Sequence, residues 1–230
     1  MIRIYVMNIS SLTDEKQYEK AYRLSSSERK KKADALKNAP DKARCIGAGL
    51  LLKEAFFRFC NEYEKKGQSG AQKDGQNPAG RVGMPQEKAD EHGRPCLAGE
   101  GEKVLTTADD GVRSTALIPF ISISHAGDYV AVAVSDKRIG VDIERNRKIS
   151  DSLARRLLSD AEQREWEYLQ KEQSNRFLLR IWTRKEAAAK LDGRGIFTML
   201  GELSANDWAD KLCLYSRELG EDYILSWAVK

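Results

Sequence analysis

Ile2, Ile4 and Val6 alternate with Arg3, Tyr5 and Met7, a period of two that predicts a strand at the start of the chain. Further on the apolar spacing becomes helical. Leu52, Phe56, Phe59/Cys60 and Tyr63 fall on one face of a helix that Asp41 can cap, with Arg44 in its first turn. Upstream, Ser25-Ser26-Ser27-Glu28 has capping-box spacing, so Arg29 to Leu36 reads as a short basic helix. Residues 67–92 have only Val82 and Met84 as larger aliphatics and read as a disordered surface insertion. After Gly93-Arg94-Pro95, a second irregular stretch runs from Gly99 to about Thr115. Phe120 to Ser135 then predicts two strands joined by a tight turn at Ala126-Gly127, with His125 beside the turn. Ser150 and Ser159-x-x-Glu162 announce two helices with Leu153, Leu157, Trp166 and Leu169 inward. A longer helix begins near Asn175 and ends around Asp192-Gly193, where glycine can take the left-handed cap conformation. Lys211 to Ser216 and Asp222 to Val229 read as closing strands, and Asp222-Tyr223-Ile224 echoes Asp128-Tyr129-Val130, a hint of internal duplication.

Composition narrows the class without naming a function. The 230 residues are 41% hydrophobic, enough for a real core, and 32% charged. The longest apolar run, Tyr129 to Val134, is far short of the roughly 20 residues a spanning helix needs, so no membrane association is expected. The alternating N-terminus is unlike a secretory signal, and a cytoplasmic location follows. Cys45, Cys60, Cys96 and Cys213 are scattered without a C-x-x-C pair, which suggests reduced thiols and neither a zinc site nor a disulfide framework. A net charge of +4 suits a polyanion or acidic partner as well as an ordinary enzyme. The basic run Arg29 to Lys32 has no interleaved aromatics, so nucleic-acid binding is discounted, leaving either a solvated helix face or an anion site. Arg44 has the same two readings, and His125 could simply be hydrogen-bonded in place.

Chemistry concentrates in two segments. On a strand through Gly140-Val141-Asp142-Ile143-Glu144, the two acids share a face, and like charges that close call for a cation; hard oxygen ligands suit Mg2+. On the long helix, Leu178, Trp182, Glu186 and Lys190 form one row, placing an acid and an ammonium one turn apart. Each segment alone fits an ordinary surface, but their joint presence downstream of Ser124-His125 reads as a phosphate-handling metal site. No Walker loop or strand-linked G-x-G-x-x-G occurs, so phosphate recognition would rest on side-chain cations and the metal.

The order Gly93-Arg94-Pro95, Ser122-x-Ser124-His125, Gly140-Val141-Asp142-Ile143-Glu144 and Trp182-x-x-Lys185-Glu186-x-x-x-Lys190 resembles the Sfp-type 4′-phosphopantetheinyl transferases. The resemblance implies an α+β fold of two similar α/β halves, residues 1–136 and 137–230, in pseudo-twofold arrangement with the active site between them. It implies transfer of 4′-phosphopantetheine from coenzyme A to a serine of an acyl or peptidyl carrier protein with an acidic surface, release of 3′,5′-ADP, and a monomeric enzyme. Asp142, Glu144 and Glu186 are implied as Mg2+ ligands, Glu186 and Lys190 as catalytic, and Lys190 also as a pyrophosphate contact. Arg29, Lys32, Arg44, Ser124 and His125 are implied to bind the 3′-phosphate, with Arg94 and Pro95 against adenine. Two departures are Arg94, where lysine is common, and Ala126, where serine is common. The competing readings are a Mg2+-dependent nucleotide hydrolase or nuclease using the same acids, and a catalytically inactive binding module.

Overall fold

The protein is described from a computed structural model, which covers residues 1–67, 83–107, 113–193, 195–196 and 212–230. Strand β1 (Ile2–Asn8) leads into helices α1 (Glu15–Leu24), α2 (Ser27–Asp34) and α3 (Ala39–Gly67). Strands β2 (Glu87–Ala89), β3 (Pro95–Leu97), β4 (Lys103–Thr107), β5 (Arg113–Leu117), β6 (Phe120–Ala126), β7 (Tyr129–Ser135) and β8 (Ile139–Arg145) follow. Helices α4 (Asp151–Leu157), α5 (Asp160–Glu167) and α6 (Lys171–Asp192) precede β9 (Cys213–Leu219) and β10 (Tyr223–Val229). The fold is mixed α+β. Two three-stranded antiparallel sheets, ordered β1-β7-β6 and β8-β10-β9, are accompanied by the hairpins β2-β3 and β4-β5.

The two-residue period of β7 explains how the first sheet is sandwiched. Val130, Val132 and Val134 pack with Leu52, Phe56 and Phe59 of α3, while Ala131 and Ala133 join Ile139, Val141, Ile143 and Leu225 of the second sheet. Alanines on that face keep the sheets close. The far face of the second sheet gives Ile224 and Ala228 to the core against Leu178, Leu179 and Trp182 of α6. β8 is an edge strand, and its outward N–H groups need partners. Val141 donates to Ser122 Oγ at 3.0 Å and Ile143 to Ser124 Oγ at 3.3 Å, so serines of β6 finish the edge of β8.

Several elements differ from the sequence reading. Helix α1, capped by Asp14 accepting from Gln17 N, was not foreseen. Ser25 ends α1 by donating to Ala21 O, and Ser26 instead caps α2, accepting from Arg29 N at 3.2 Å. Asp41 lies inside the first turn of α3 and pairs with Arg44. Of the expected disordered insertion, residues 68–82 lie outside the described residues, but 83–92 are built around the β2-β3 hairpin. The second irregular stretch contains the paired strands β4 and β5, with 108–112 outside the described residues. The β6-β7 turn sits at Gly127-Asp128, one residue later than expected, with Gly127 at φ +51°. A Cβ there would land on the Tyr223 hydroxyl, so this turn needs glycine for space as well as backbone conformation. Helix α6 starts four residues before Asn175 and ends, as read, at Gly193 with φ +94°.

β8 is buried on both faces because α6 lies directly on it. A Cβ at Gly140 would fall on the Ala187 carbonyl oxygen and 2.6 Å from Leu191 N, so the contact is helix backbone against strand backbone. Gly140→Ala therefore has no flexible side chain to push aside. We expect a loss of about 2–3 kcal/mol or more, typical of overpacking, measured by denaturant unfolding; an unchanged midpoint would contradict this packing.

Candidate active site

Four consecutive residues of α6 set its position, because successive helical side chains point about 100° apart. Trp182 Nε1–H donates to Glu144 Oε1 of β8 at 2.9 Å. Thr183 Oγ1 accepts from Ser226 Oγ of β10 at 2.9 Å, and Arg184 Nε donates to Ser216 Oγ of β9 at 2.9 Å. Lys185, 1% exposed, donates to the Leu157 carbonyl at the end of α4 and pairs with Glu162 of α5 at 2.9 Å. These four anchors reach five different elements, β8, β10, β9, α4 and α5. Glu186 is then left facing a cleft of about 710 Å3, with Lys190 one turn further on.

The cleft brings Asp142, Glu144, Glu186 and Lys190 together with Ser124, His125, Lys32, Arg29 and Pro95. Asp142 is 4% exposed, and its Oδ1 accepts from Lys190 Nζ and Ser124 Oγ, each at 2.8 Å. Its Oδ2 is buried with no hydrogen-bond partner among the described residues. A buried carboxylate oxygen left bare is costly unless something else binds it, and Asp142 lines the same cleft as Glu186. Glu144 Oε1 is held by Trp182, while Oε2 accepts from Arg147 Nε at 3.5 Å. Glu186 is pushed up to about 7, first by burial and then by the charge of Asp142, with Glu144 adding and Lys190 opposing. Among the described residues no three such side chains already converge as a cage for an ion. The oxygens available at Asp142, Glu144 and Glu186 are nevertheless the hard donors that Mg2+ takes, with water and phosphate oxygens in its remaining positions.

The cations implied for phosphate binding are placed unequally. Lys32 lines the cleft and is exposed. Arg29 also lines it but is buried and bound to Glu87, with Nη2 to Oε2 at 2.6 Å and Nε to Oε1 at 3.0 Å. Arg44 lies outside the cleft lining, donating to Asp41 Oδ1 and to the Gly127 carbonyl at 3.1 Å. Arg94 is a hub, donating to Asp90, Glu100 and the Ile121 carbonyl, while Pro95 borders the cleft. Ser124 Oγ donates to Asp142 and accepts from Lys190 and Ile143, which uses its one proton and both lone pairs. It is therefore saturated as a positioning group. His125 keeps an exposed edge, yet the protein around it disfavours the imidazolium through desolvation first, then Arg44 and, more weakly, Lys190. Sequence reading missed Glu87, hidden in the supposed insertion, and the structural duties of Ser122 and Trp182. His92 lines a smaller cavity of about 180 Å3 that Glu186 and Lys190 also border.

Residues 138–229, which include β8, α6 and β10, match the model of the 4′-phosphopantetheinyl transferase superfamily. The chain is similar to 4′-phosphopantetheinyl transferase psf-1 of Bacillus pumilus, 34% identical over 104 residues, covering 44% of this chain and 45% of the relative. It is also similar to 4′-phosphopantetheinyl transferase Sfp of Bacillus subtilis, 31% identical over 83 residues and covering 36% and 37% of the two chains. A third relative, 4′-phosphopantetheinyl transferase AcpT of Salmonella typhimurium, is 42% identical over 77 residues, covering 32% and 40%. The chain thus spans less than half the length of each of these relatives. Over that C-terminal stretch the family resemblance read from the motifs is borne out.

The raised Glu186 has a consequence for stability in the absence of divalent cations. Folded, its carboxyl holds a proton up to about pH 7, whereas the unfolded chain releases it near 4.5. Between those values the native state binds more protons, so stability falls as pH rises through that window. In chelator, Glu186→Gln should be more stable than wild type by about 1–3 kcal/mol at pH 8 and nearly equal at pH 4. Denaturant midpoints measure this, and equal midpoints at both pH values would contradict the like-charge cluster.

Proposed function

We propose that the protein transfers the 4′-phosphopantetheine group of coenzyme A to a serine of an acyl or peptidyl carrier protein. The observation that carries this reading is the convergence of Asp142, Glu144, Glu186 and Lys190 on one cleft, with a buried Asp142 oxygen unpartnered. The names of the relatives supply the group transferred. Asp142, Glu144 and Glu186 would hold Mg2+, which when bound neutralises pyrophosphate charge and favours in-line displacement.

The chain's own residues then have distinct tasks. Glu186, in the same cleft as Asp142 and Lys190, is the carboxylate placed to accept the serine hydroxyl proton, directly or through a bound water. As that proton leaves, the serine oxygen bonds to the β-phosphorus and the bond to the bridging oxygen breaks, its electron pair departing with 3′,5′-ADP. The Lys190 ammonium, held against Asp142 at 2.8 Å, places positive charge where negative charge grows on the leaving group. Ser124 fixes both partners of that pair. Trp182 fixes Glu144.

The architecture supports reading residues 1–136 and 137–230 as two related halves in pseudo-twofold arrangement. Each has a three-stranded antiparallel sheet backed by a long helix, and the central strand of each sheet follows an Asp-Tyr pair. Tyr129 and Tyr223 meet edge to face with centroids 4.8 Å apart. The reading also makes the protein a cytoplasmic monomer, and Cys45, Cys96 and Cys213 as free thiols are compatible with a reducing compartment. No described helix is long and apolar enough to cross a membrane.

Incubation with coenzyme A, Mg2+ and an apo carrier should give the phosphopantetheine mass increment on the carrier by intact-protein mass spectrometry. Consumed coenzyme A with an unmodified carrier would instead show a hydrolase. Glu186→Gln should lower the transfer rate about 10²–10⁴-fold while coenzyme A binding changes little; near-normal turnover would remove Glu186 from the proton-transfer role.

A further inference from the structure

The charges around the cleft are not equally available to a ligand. Glu87 stands on β2, in the segment read from sequence as insertion, and it grips Arg29 through both carboxylate oxygens. Both side chains are less than 10% exposed. The seat is built on the arginine side too. The stem of Arg29 lies over Gly49 of α3, where a Cβ would come within 2.7 Å of Arg29 Cγ, and its Nη1 donates toward the Cys45 carbonyl. A guanidinium matched to a carboxylate in this two-point way is neutralised and spatially fixed. Around the same end of the cleft, Asp41 neutralises Arg44, and His125 is held toward its neutral form. Lys190 is committed to Asp142. Lys32 lines the cleft, is exposed, and makes no ion pair with a carboxylate among the described residues.

We propose that Glu87 is a specificity-determining residue that withdraws Arg29 from anion recognition, so that among the described residues Lys32 alone supplies the ion pair for the terminal phosphate on the ribose of the coenzyme. The proposal rests on the reading that this cleft binds coenzyme A. Glu87 thereby limits how strongly the protein distinguishes coenzyme A from 3′-dephospho-coenzyme A, which is identical except for that phosphate. Releasing Arg29 would add a second, already placed cation.

Calorimetric titration of the full chain with each of the two coenzymes gives the test, read as the ratio of their Kd values. Glu87→Gln should raise the preference for coenzyme A about tenfold with little change for the dephospho form. Lys32→Met should lower it at least about fivefold. The double variant Arg29→Met/Glu87→Met removes both charges and orphans neither, so it should fold and keep the wild-type preference within about twofold. A preference that is unchanged or lowered in Glu87→Gln, retained in Lys32→Met, or lost in the double variant would overturn the proposal. If Glu87→Gln fails to fold, the other two variants decide. Wild type that binds neither coenzyme would defeat the functional reading itself, whereas tight binding with the opposite ratios defeats only the role given to Glu87.

Discussion

The site depends on one close approach, that of α6 to β8 at Gly140. Without a side chain there, the helix backbone near Ala187 and Leu191 can rest on the strand. Ala187, Ala188 and Ala189 supply strong helix formers with little bulk, so the same stretch that packs tightly also stays helical. This approach is what lets Lys190 reach Asp142 at 2.8 Å and brings Glu186 into the same cleft as Asp142 and Glu144. A larger spacing would replace short contacts with water. The anchors at Trp182, Thr183, Arg184 and Lys185 then fix rotation and slide, so distance and register are set by separate devices.

That closeness has an electrostatic cost. Asp142, Glu144 and Glu186 line one cleft with the Lys190 ammonium against Asp142, and the protein meets the crowding of like charge by keeping Glu186 close to protonation and by surrounding Asp142 Oδ1 with Lys190 and Ser124. Asp142 Oδ2 is left bare. A cluster serving stability alone would pair that oxygen or replace it with an apolar group, because an unmet buried polar atom only costs energy. On the proposed reading, a cation and an anionic ligand entering together would resolve the tension, and this makes the unpaired oxygen informative about function where the satisfied ones are not.

Much of this was legible in residue order. Alternation gave β1, β6, β7 and β8, helical spacing gave α3 and α6, and the acids of β8 and α6 were singled out from their faces. Local rules failed where two local rules competed. Ser25 and Ser26 are both good caps, and only the end of α1 decides that Ser25 bonds backward and Ser26 forward. The β2-β3 and β4-β5 hairpins were missed because short strands in polar sequence have little apolar periodicity. The role of Ser122 and Ser124 in finishing the edge of β8 was not visible at all, since it arises between strands that are not paired by sequence neighbours.

The cations show the same limit in sharper form. Sequence reveals that Arg29, Arg44 and Arg94 carry charge, but whether that charge is available depends on a carboxylate that can lie near or far along the chain. For Arg44 and Arg94 the partners are close, Asp41 at three residues and Asp90 at four, and both are visible as helix or turn neighbours. For Arg29 the partner is 58 residues away in a segment whose composition suggested no structure. Burial makes this distinction matter: an exposed pair is screened and readily exchanged, whereas a pair excluded from water is held by its own attraction and by the cost of separating it. Availability of charge, more than its presence, is therefore what distinguishes a binding residue from a structural one along this cleft, and it is a property of the fold.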